Sequence, residues 1–196
     1  MLGWQIGYAA ACRAAKGDST SPPSSLYDDS MQKRYAIWLM PSGAAYKKFR
    51  SRILKLSRDY ETVDFEPHIT LVGDINENKK SIMSSIAKIV PSLKPFYVEL
   101  TGVGDSENRY KCIFIRVRKS GNIMSLNRSL RKSLKVDDAT YEPHLSLMYG
   151  NLKRDTRKGI LKKLPAYGNM SFRVGAVHLM ATDRHPAKEM KIFSFR

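Results

Sequence analysis

Two decapeptides, FEPHITLVGD at 65–74 and YEPHLSLMYG at 141–150, write one phrase twice, 76 residues apart: aromatic, Glu, Pro, His, aliphatic, Thr or Ser, Leu. In an extended strand successive side chains alternate between faces. His68 and Thr70 therefore share one face and Ile69 and Leu71 the other; the second copy sets His144 and Ser146 against Leu145 and Leu147. Pro67 and Pro143 fix the backbone just before each histidine and bias Glu66 and Glu142 toward an extended approach. A chain built this way must bury two apolar strand faces and present two His-hydroxyl faces. Halves related by internal symmetry, with these strands side by side, would bring two imidazoles and two hydroxyls to one cleft.

The surrounding periodicity fits such halves. RYAIWLM at 34–40 reads as a buried strand closed by Pro41-Ser42-Gly43. Tyr46, Phe49, Ile53, Leu56 and Tyr60 recur at helical intervals, with Lys47, Lys48, Arg50 and Arg58 on the outer face. Ile82, Ile86 and Ile89 mark a second helix; Phe96–Leu100 and Tyr110–Arg118 read as strands joined by the turn-rich GVGDSENR. Ile123, Leu126, Leu130 and Leu134 mark a third helix, followed by the second motif strand at 144–149, a basic helix near 153–164, and strands near 170–182 and 188–195. The expectation is an α+β fold: two pseudo-symmetric lobes, each an antiparallel sheet with flanking helices, and the active-site cleft between them.

At 196 residues the chain suits one compact unit. Residues 1–30 read as a flexible N-terminal extension: an Ala-rich run broken by Arg13 and Lys16, then a Ser/Pro/Asp-rich linker. They lack the positive start and unbroken apolar centre of a secretory signal; organelle targeting stays open, since no acid precedes Asp18. The domain is then 31–196. The extension holds two basic and three acidic residues, so the 34 Lys plus Arg and 18 Asp plus Glu of the whole chain leave 32 against 15 in the domain. That field attracts phosphorylated ligands, although charge alone is equally compatible with a merely soluble basic surface. No stretch approaches the ~20 apolar residues of a membrane span. Cys12 and Cys112 are the only cysteines and have no zinc spacing, which points to a reducing compartment, the cytoplasm.

Phosphodiester hydrolysis needs a base to activate water and an acid to protonate the departing oxygen, and imidazole titrates where it can do either. Thr70 and Ser146 would donate to the non-bridging oxygens as phosphorus becomes five-coordinate. This chemistry requires no cofactor and no metal. One His-x-Thr would be weak evidence; the whole phrase twice is much stronger.

The paired His-x-(Thr/Ser) motifs resemble the 2H phosphoesterase superfamily, and YAIWLMP, FEPHITLVG, RYKCIFIRV and YEPHLSLMYG resemble, in order, the blocks of its plant and yeast cyclic phosphodiesterases. The resemblance covers roughly 34–195. It implies a two-lobed fold that opens nucleoside 2′,3′-cyclic phosphates to 2′-phosphates and ADP-ribose 1″,2″-cyclic phosphate to ADP-ribose 1″-phosphate, in the aftermath of tRNA splicing. It implies His68 and His144 as catalytic, with His144 activating water and His68 protonating the leaving oxygen, an order that substrate direction can reverse. It implies Thr70 and Ser146 as phosphate-binding, with Tyr149 a further candidate. Tyr149 lies five residues after His144 and needs a bend near Gly150 to reach the same face.

Tyr110 and Phe114, read on one strand face with Cys112 and Arg116, are candidates to stack on a base, or else to pack beneath a helix. Cys112 reads as a small buried residue. His178 and His185 lack the motif, and LKRDTRKGILKK at 152–163 flanks the site or is a solvated helix face. The expected partner is a cyclic phosphate or small nucleotide, with RNA ends or oligoadenylate as alternatives, no membrane, and a monomeric state. Two other functions compete: a 2′,5′-phosphodiesterase or another RNA-end-processing enzyme, and a non-catalytic basic RNA-binding module, against which the intact histidines and hydroxyls argue.

Overall fold

Every residue of YAIWL is buried, which an alternating strand achieves only when both of its faces are covered. This segment, β1 (Tyr35–Leu39), sends Tyr35, Ile37 and Leu39 into the main core and Ala36 and Trp38 into a small second cluster with Met180. The structure, a computed structural model, describes residues 33–137 and 140–196; the expected extension 1–30 lies outside the described residues.

After β1 come α1 (Gly43–Asp59), β2 (Ile69–Ile75), α2 (Lys79–Ile89), β3 (Phe96–Asp105), β4 (Ile113–Val117), α3 (Gly121–Ser133), β5 (His144–Met148), α4 (Arg154–Lys163), β6 (Ser171–Val174), β7 (Ala176–Ala181) and β8 (Lys188–Ser194). The strands form one antiparallel sheet in the order β6-β3-β4-β5-β2-β1-β7-β8. Its two middle strands are the two motif strands, which pair through Ile69 and Leu145. One lobe is therefore β2-β1-β7-β8 and the other β6-β3-β4-β5, each four antiparallel strands.

The helices cover one face of this sheet. Phe49, Ile53 and Leu56 of α1, Ile82 and Ile86 of α2, Ile123, Leu126 and Leu130 of α3 and Ile160 of α4 all enter the main core. Full burial of each such side chain is worth about 1.5–3 kcal/mol, so the stripes read from sequence supply much of the driving force. The packing is crossed: α1 lies over β5 and α3 over β2, each helix covering the other lobe's motif strand. Asn127 of α3, buried at 3% exposure, donates from Nδ2 to the Leu71 carbonyl at 2.7 Å. No helix among the described residues is long and apolar enough to cross a membrane.

One expected strand is shorter than its alternation implied. Tyr110 does not begin it: Arg109–Lys111 form a 3-10 turn, the Asn108 side chain accepts from the Tyr110 amide at 2.9 Å, and β4 starts at Ile113. Cys112, the small buried residue expected, is fully buried. Tyr110 therefore does not share a strand face with Phe114 and Arg116.

Candidate active site

One step on either side of the Ile69–Leu145 pair, antiparallel geometry sets His68 level with Ser146 and Thr70 level with His144. Ile69, Leu71, Leu145 and Leu147 are all buried in the core, so the four polar residues meet on the face turned away from the helices. The sheet thus brings the two halves of the repeated phrase together at its centre.

Each phrase fixes its own imidazole. His68 Nδ1 lies 2.7 Å from the Glu66 carbonyl oxygen, and His144 Nδ1 lies 2.8 Å from that of Glu142. A carbonyl only accepts, so each ring holds its proton at Nδ1 and leaves Nε2 for chemistry. The glutamate carboxylates turn elsewhere. Glu66 accepts from the Tyr46 hydroxyl at 2.6 Å and pairs with Arg50 Nε at 3.3 Å; Glu142 pairs with Lys111 Nζ at 2.9 Å. The aromatic residue that opens each phrase contacts the other phrase. Phe65 stacks on Tyr149 with ring centroids 3.7 Å apart, and the Tyr141 hydroxyl donates to the Thr70 carbonyl at 3.0 Å.

The surroundings of the two rings differ. His68 is 7% exposed, stacked on Trp38 at 3.6 Å and 8°, and edge-on to Phe65. The Tyr149 hydroxyl stands 3.4 Å from His68 Nε2, and burial pushes the tyrosine's titration upward, so the phenol stays a donor. The strand ends at Met148 and the chain bends at Gly150, which turns Tyr149 to this position as its spacing required. Burial pushes His68 down to about 4, against the smaller opposing effect of the Glu66 carbonyl; His144 lowers it further. His144 is half-buried, with Phe114 edge-on at 5.6 Å. Its titration is also lowered, first by burial and then by the Lys111 cation, while the Glu142 carbonyl and carboxylate oppose that shift.

Of the hydroxyls, that of Ser146 donates to the Tyr110 carbonyl at 2.9 Å, so its proton is engaged. The two stacking candidates separate. Tyr110 is 49% exposed and edge-on to Tyr149 at 5.5 Å, whereas Phe114 is 6% exposed, with Lys111 Nζ 4.7 Å and Arg116 Cζ 5.5 Å from its ring centroid. Tyr110 is the more accessible platform.

Lys111 escaped the sequence reading. The capped turn at Asn108 brings its ammonium beside Glu142, Phe114 and His144. Trp38 was read only as part of an apolar run. Of the other histidines, His178 holds Glu189 at 2.6 Å on β7, the far side of β1 from β2, and His185 is exposed in the loop before β8. In the basic run at 152–163, Arg157 is 6% exposed and, with Lys158, binds Asp105, tying α4 to β3.

A sequence model described as the 2′-5′ RNA ligase superfamily matches residues 41–186. A curated relative, a cyclic phosphodiesterase of Arabidopsis thaliana, is 21% identical over 154 residues, covering 76% of this chain and 85% of the relative. Among solved structures, Escherichia coli LigT in apo form superposes with a TM-score of 0.60 at 17% identity, covering 83% of this chain and 97% of the other. The same protein complexed with 3′-AMP gives 0.60 at 15%, covering 83% and 98%. A protein of Thermus thermophilus also gives 0.60 at 15%, covering 83% and 98%. At these identities the structural likeness shows the fold: a curled antiparallel sheet with helices and two related lobes.

Proposed function

The chain belongs to the 2′-5′ RNA ligase superfamily, the 2H phosphoesterases, and from that premise we propose that it is a phosphoric diester hydrolase opening 2′,3′-cyclic phosphates to 2′-phosphates without a metal. ADP-ribose 1″,2″-cyclic phosphate, opened to the 1″-phosphate, is the second substrate of this reading. The observation that carries it is the shared tautomer: two imidazoles at the meeting of the motif strands, each with Nδ1–H tied to a carbonyl and Nε2 left available.

In this mechanism water attacks phosphorus as one Nε2 takes its proton, the bond from phosphorus to O3′ breaks, and the other Nε2–H protonates O3′. The phosphate stays on the 2′ oxygen, and the rings exchange protons with solvent to reset. Electrostatics favour His68 as base, because burial holds it neutral. His144, more exposed, regains a proton more readily beside an arriving anion and acts as acid. This reverses the order implied by family resemblance. Thr70 and, after rotation away from His68 Nε2 and the Tyr110 carbonyl respectively, Tyr149 and Ser146 donate to the non-bridging oxygens, while Lys111 supplies positive charge. The carboxylates nearest the histidines are engaged by Arg50, Tyr46 and Lys111, which supports a metal-free reaction.

The test is parallel incubation with 2′,3′-cyclic AMP, ADP-ribose cyclic phosphate and 2′,5′-oligoadenylate in EDTA. Hydrolysis of the cyclic phosphates to the stated products is expected. Activity dependent on added zinc or manganese would overturn the metal-free mechanism. Cleavage of oligoadenylate alone would favour the second reading, an enzyme of linear RNA ends, for which the excess of 32 basic over 15 acidic residues speaks.

A further inference from the structure

The two histidines reach the site by different means. His144 is the first residue of β5 and is paired in the ladder with Arg116 of β4. His68 stands one residue before β2, at the end of a stretch, 62–68, that belongs to no helix or strand. The ladder fixes one approach, and the other lacks that support. Arg50 of α1 supplies a substitute. Its Nη2 donates to Asp64 Oδ2 at 2.6 Å, its Nη1 to the Phe65 carbonyl at 3.1 Å, and its Nε stands 3.3 Å from Glu66 Oε1. All three guanidinium nitrogens thus engage three consecutive residues. One turn earlier on α1, the Tyr46 hydroxyl donates to the other carboxylate oxygen of Glu66 at 2.6 Å.

The helical period sets Arg50 on the outer face of α1 with Lys47 and Lys48, yet its side chain is only 22% exposed. Phe49 and Ile53 anchor the same turns of the helix in the core, and α1 lies over β5, the strand of His144. The arginine therefore holds the approach to one histidine from a helix seated on the strand of the other. Both nitrogens of the His68 ring depend on the segment so held. Nδ1–H donates to the Glu66 carbonyl at 2.7 Å, and Phe65 stacks on Tyr149, whose hydroxyl faces Nε2. The second phrase has a looser counterpart: Glu142, 62% exposed, pairs with the Lys111 ammonium.

We propose that Arg50, assisted by Tyr46, is a positioning residue for the reaction: through Asp64, Phe65 and Glu66 it keeps the Glu66 carbonyl on His68 Nδ1–H, and so keeps Nε2 free to take the proton of water. The proposal rests on the reading of His68 as the base. Lysine does not replace Arg50 here, because one ammonium does not reproduce the planar fork that meets three acceptors.

The direct readout is the tautomer of His68, observed by NMR of the imidazole nitrogens in the whole protein at neutral pH without substrate. Arg50→Met and Arg50→Lys are expected to turn a single Nδ1–H form into a mixture with the Nε2–H form. His144 should keep its wild-type signals, which also shows that the variants fold. In hydrolysis of 2′,3′-cyclic AMP both variants should lose about 10–10²-fold in kcat, as when a reacting group is misplaced by up to ~1 Å, while binding of the 2′-phosphate product is unchanged. Tyr46→Phe, which removes one hydroxyl, should move tautomer and kcat in the same direction by less. An Arg50→Met protein with His68 wholly in the Nδ1–H form, or with equal losses in kcat and product affinity, would overturn the proposal. Should Arg50→Met not fold, a wild-type tautomer and turnover in Tyr46→Phe would overturn it instead. A wild-type protein that opens no cyclic phosphate would sink the catalytic reading alone, and the tautomer comparison would still decide whether Arg50 sets the ring.

Discussion

His68 and His144 come from one repeated phrase and hold the same hydrogen bond to the same relative carbonyl, yet they occupy unlike environments. His68 lies under Trp38 and Tyr149, dry and depressed to about 4; His144 borders Phe114, within reach of the Lys111 field. Symmetry of backbone has been kept and symmetry of solvation lost. The lesson is that a repeated motif supplies two identical side chains, and the groups around them set how each titrates.

The strongest way to break this comparison is to remove each ring. His68→Ala and His144→Ala should each reduce cyclic-phosphate turnover by ~10²–10⁴-fold, while binding of the 2′-phosphate product changes little. Wild-type turnover in both variants would reduce the phrases to structural repeats. The pH profile of kcat/KM sharpens the assignment. With both titrations below the ordinary 6.5, the optimum should be acidic, the lower limb being set by His68 and the upper by His144.

The hydroxyls should differ as the rings do. Thr70→Ala is expected to slow turnover by ~10²-fold, as when one donor to a developing oxyanion is lost. Ser146→Ala should cost several-fold less, because in the free protein that hydroxyl donates to Tyr110. Equal losses would show that Ser146 turns fully to the substrate.

Stability should carry the mark of the dry ring. His68 is depressed from 6.5 to about 4 on folding, so between those values the unfolded chain binds the extra proton. Folding stability is therefore lost as pH falls through that window, by on the order of 3 kcal/mol from this group. Chemical denaturation at a series of pH values should show a flatter acid slope for His68→Asn, and an unaltered slope would refute the burial argument. Smallest is Lys111→Met, expected to lower turnover about tenfold through loss of one phosphate-facing charge. It should also move the upper pH limb upward, since the ammonium holds His144 down. A downward movement would contradict the placement of that charge.

Much of this site was legible because strand alternation is a local rule. The spacing in HIT and HLS alone assigns His68, Thr70, His144 and Ser146 to polar faces, and the sheet brings those faces together. The periods of Phe49, Ile53 and Leu56, and of Ile123, Leu126 and Leu130, likewise foretold the buried helix stripes. The rule failed where a side chain captured the backbone: the Asn108 cap on the Tyr110 amide changed a strand into a turn and hid Lys111. Contacts between side chains distant in sequence left no local trace. Nothing in YAIWL announces that Trp38 will cover an imidazole thirty residues on, nor that Asn127 will reach Leu71.

The strand order also sets a schedule for assembly. β3 to β6, the whole second lobe, are consecutive in the chain, whereas β1 finds its outer neighbour only in β7, near the C-terminus. A chain emerging from the N-terminus can therefore complete the half with His144 while the half with His68 still lacks its outer strands. Trp38, which covers His68, sits on β1, the strand whose outer edge stays open until β7 arrives. A chain truncated before β7 would carry both motifs with β1 paired along one edge only, and the small cluster of Ala36, Trp38 and Met180 would lack its β7 member.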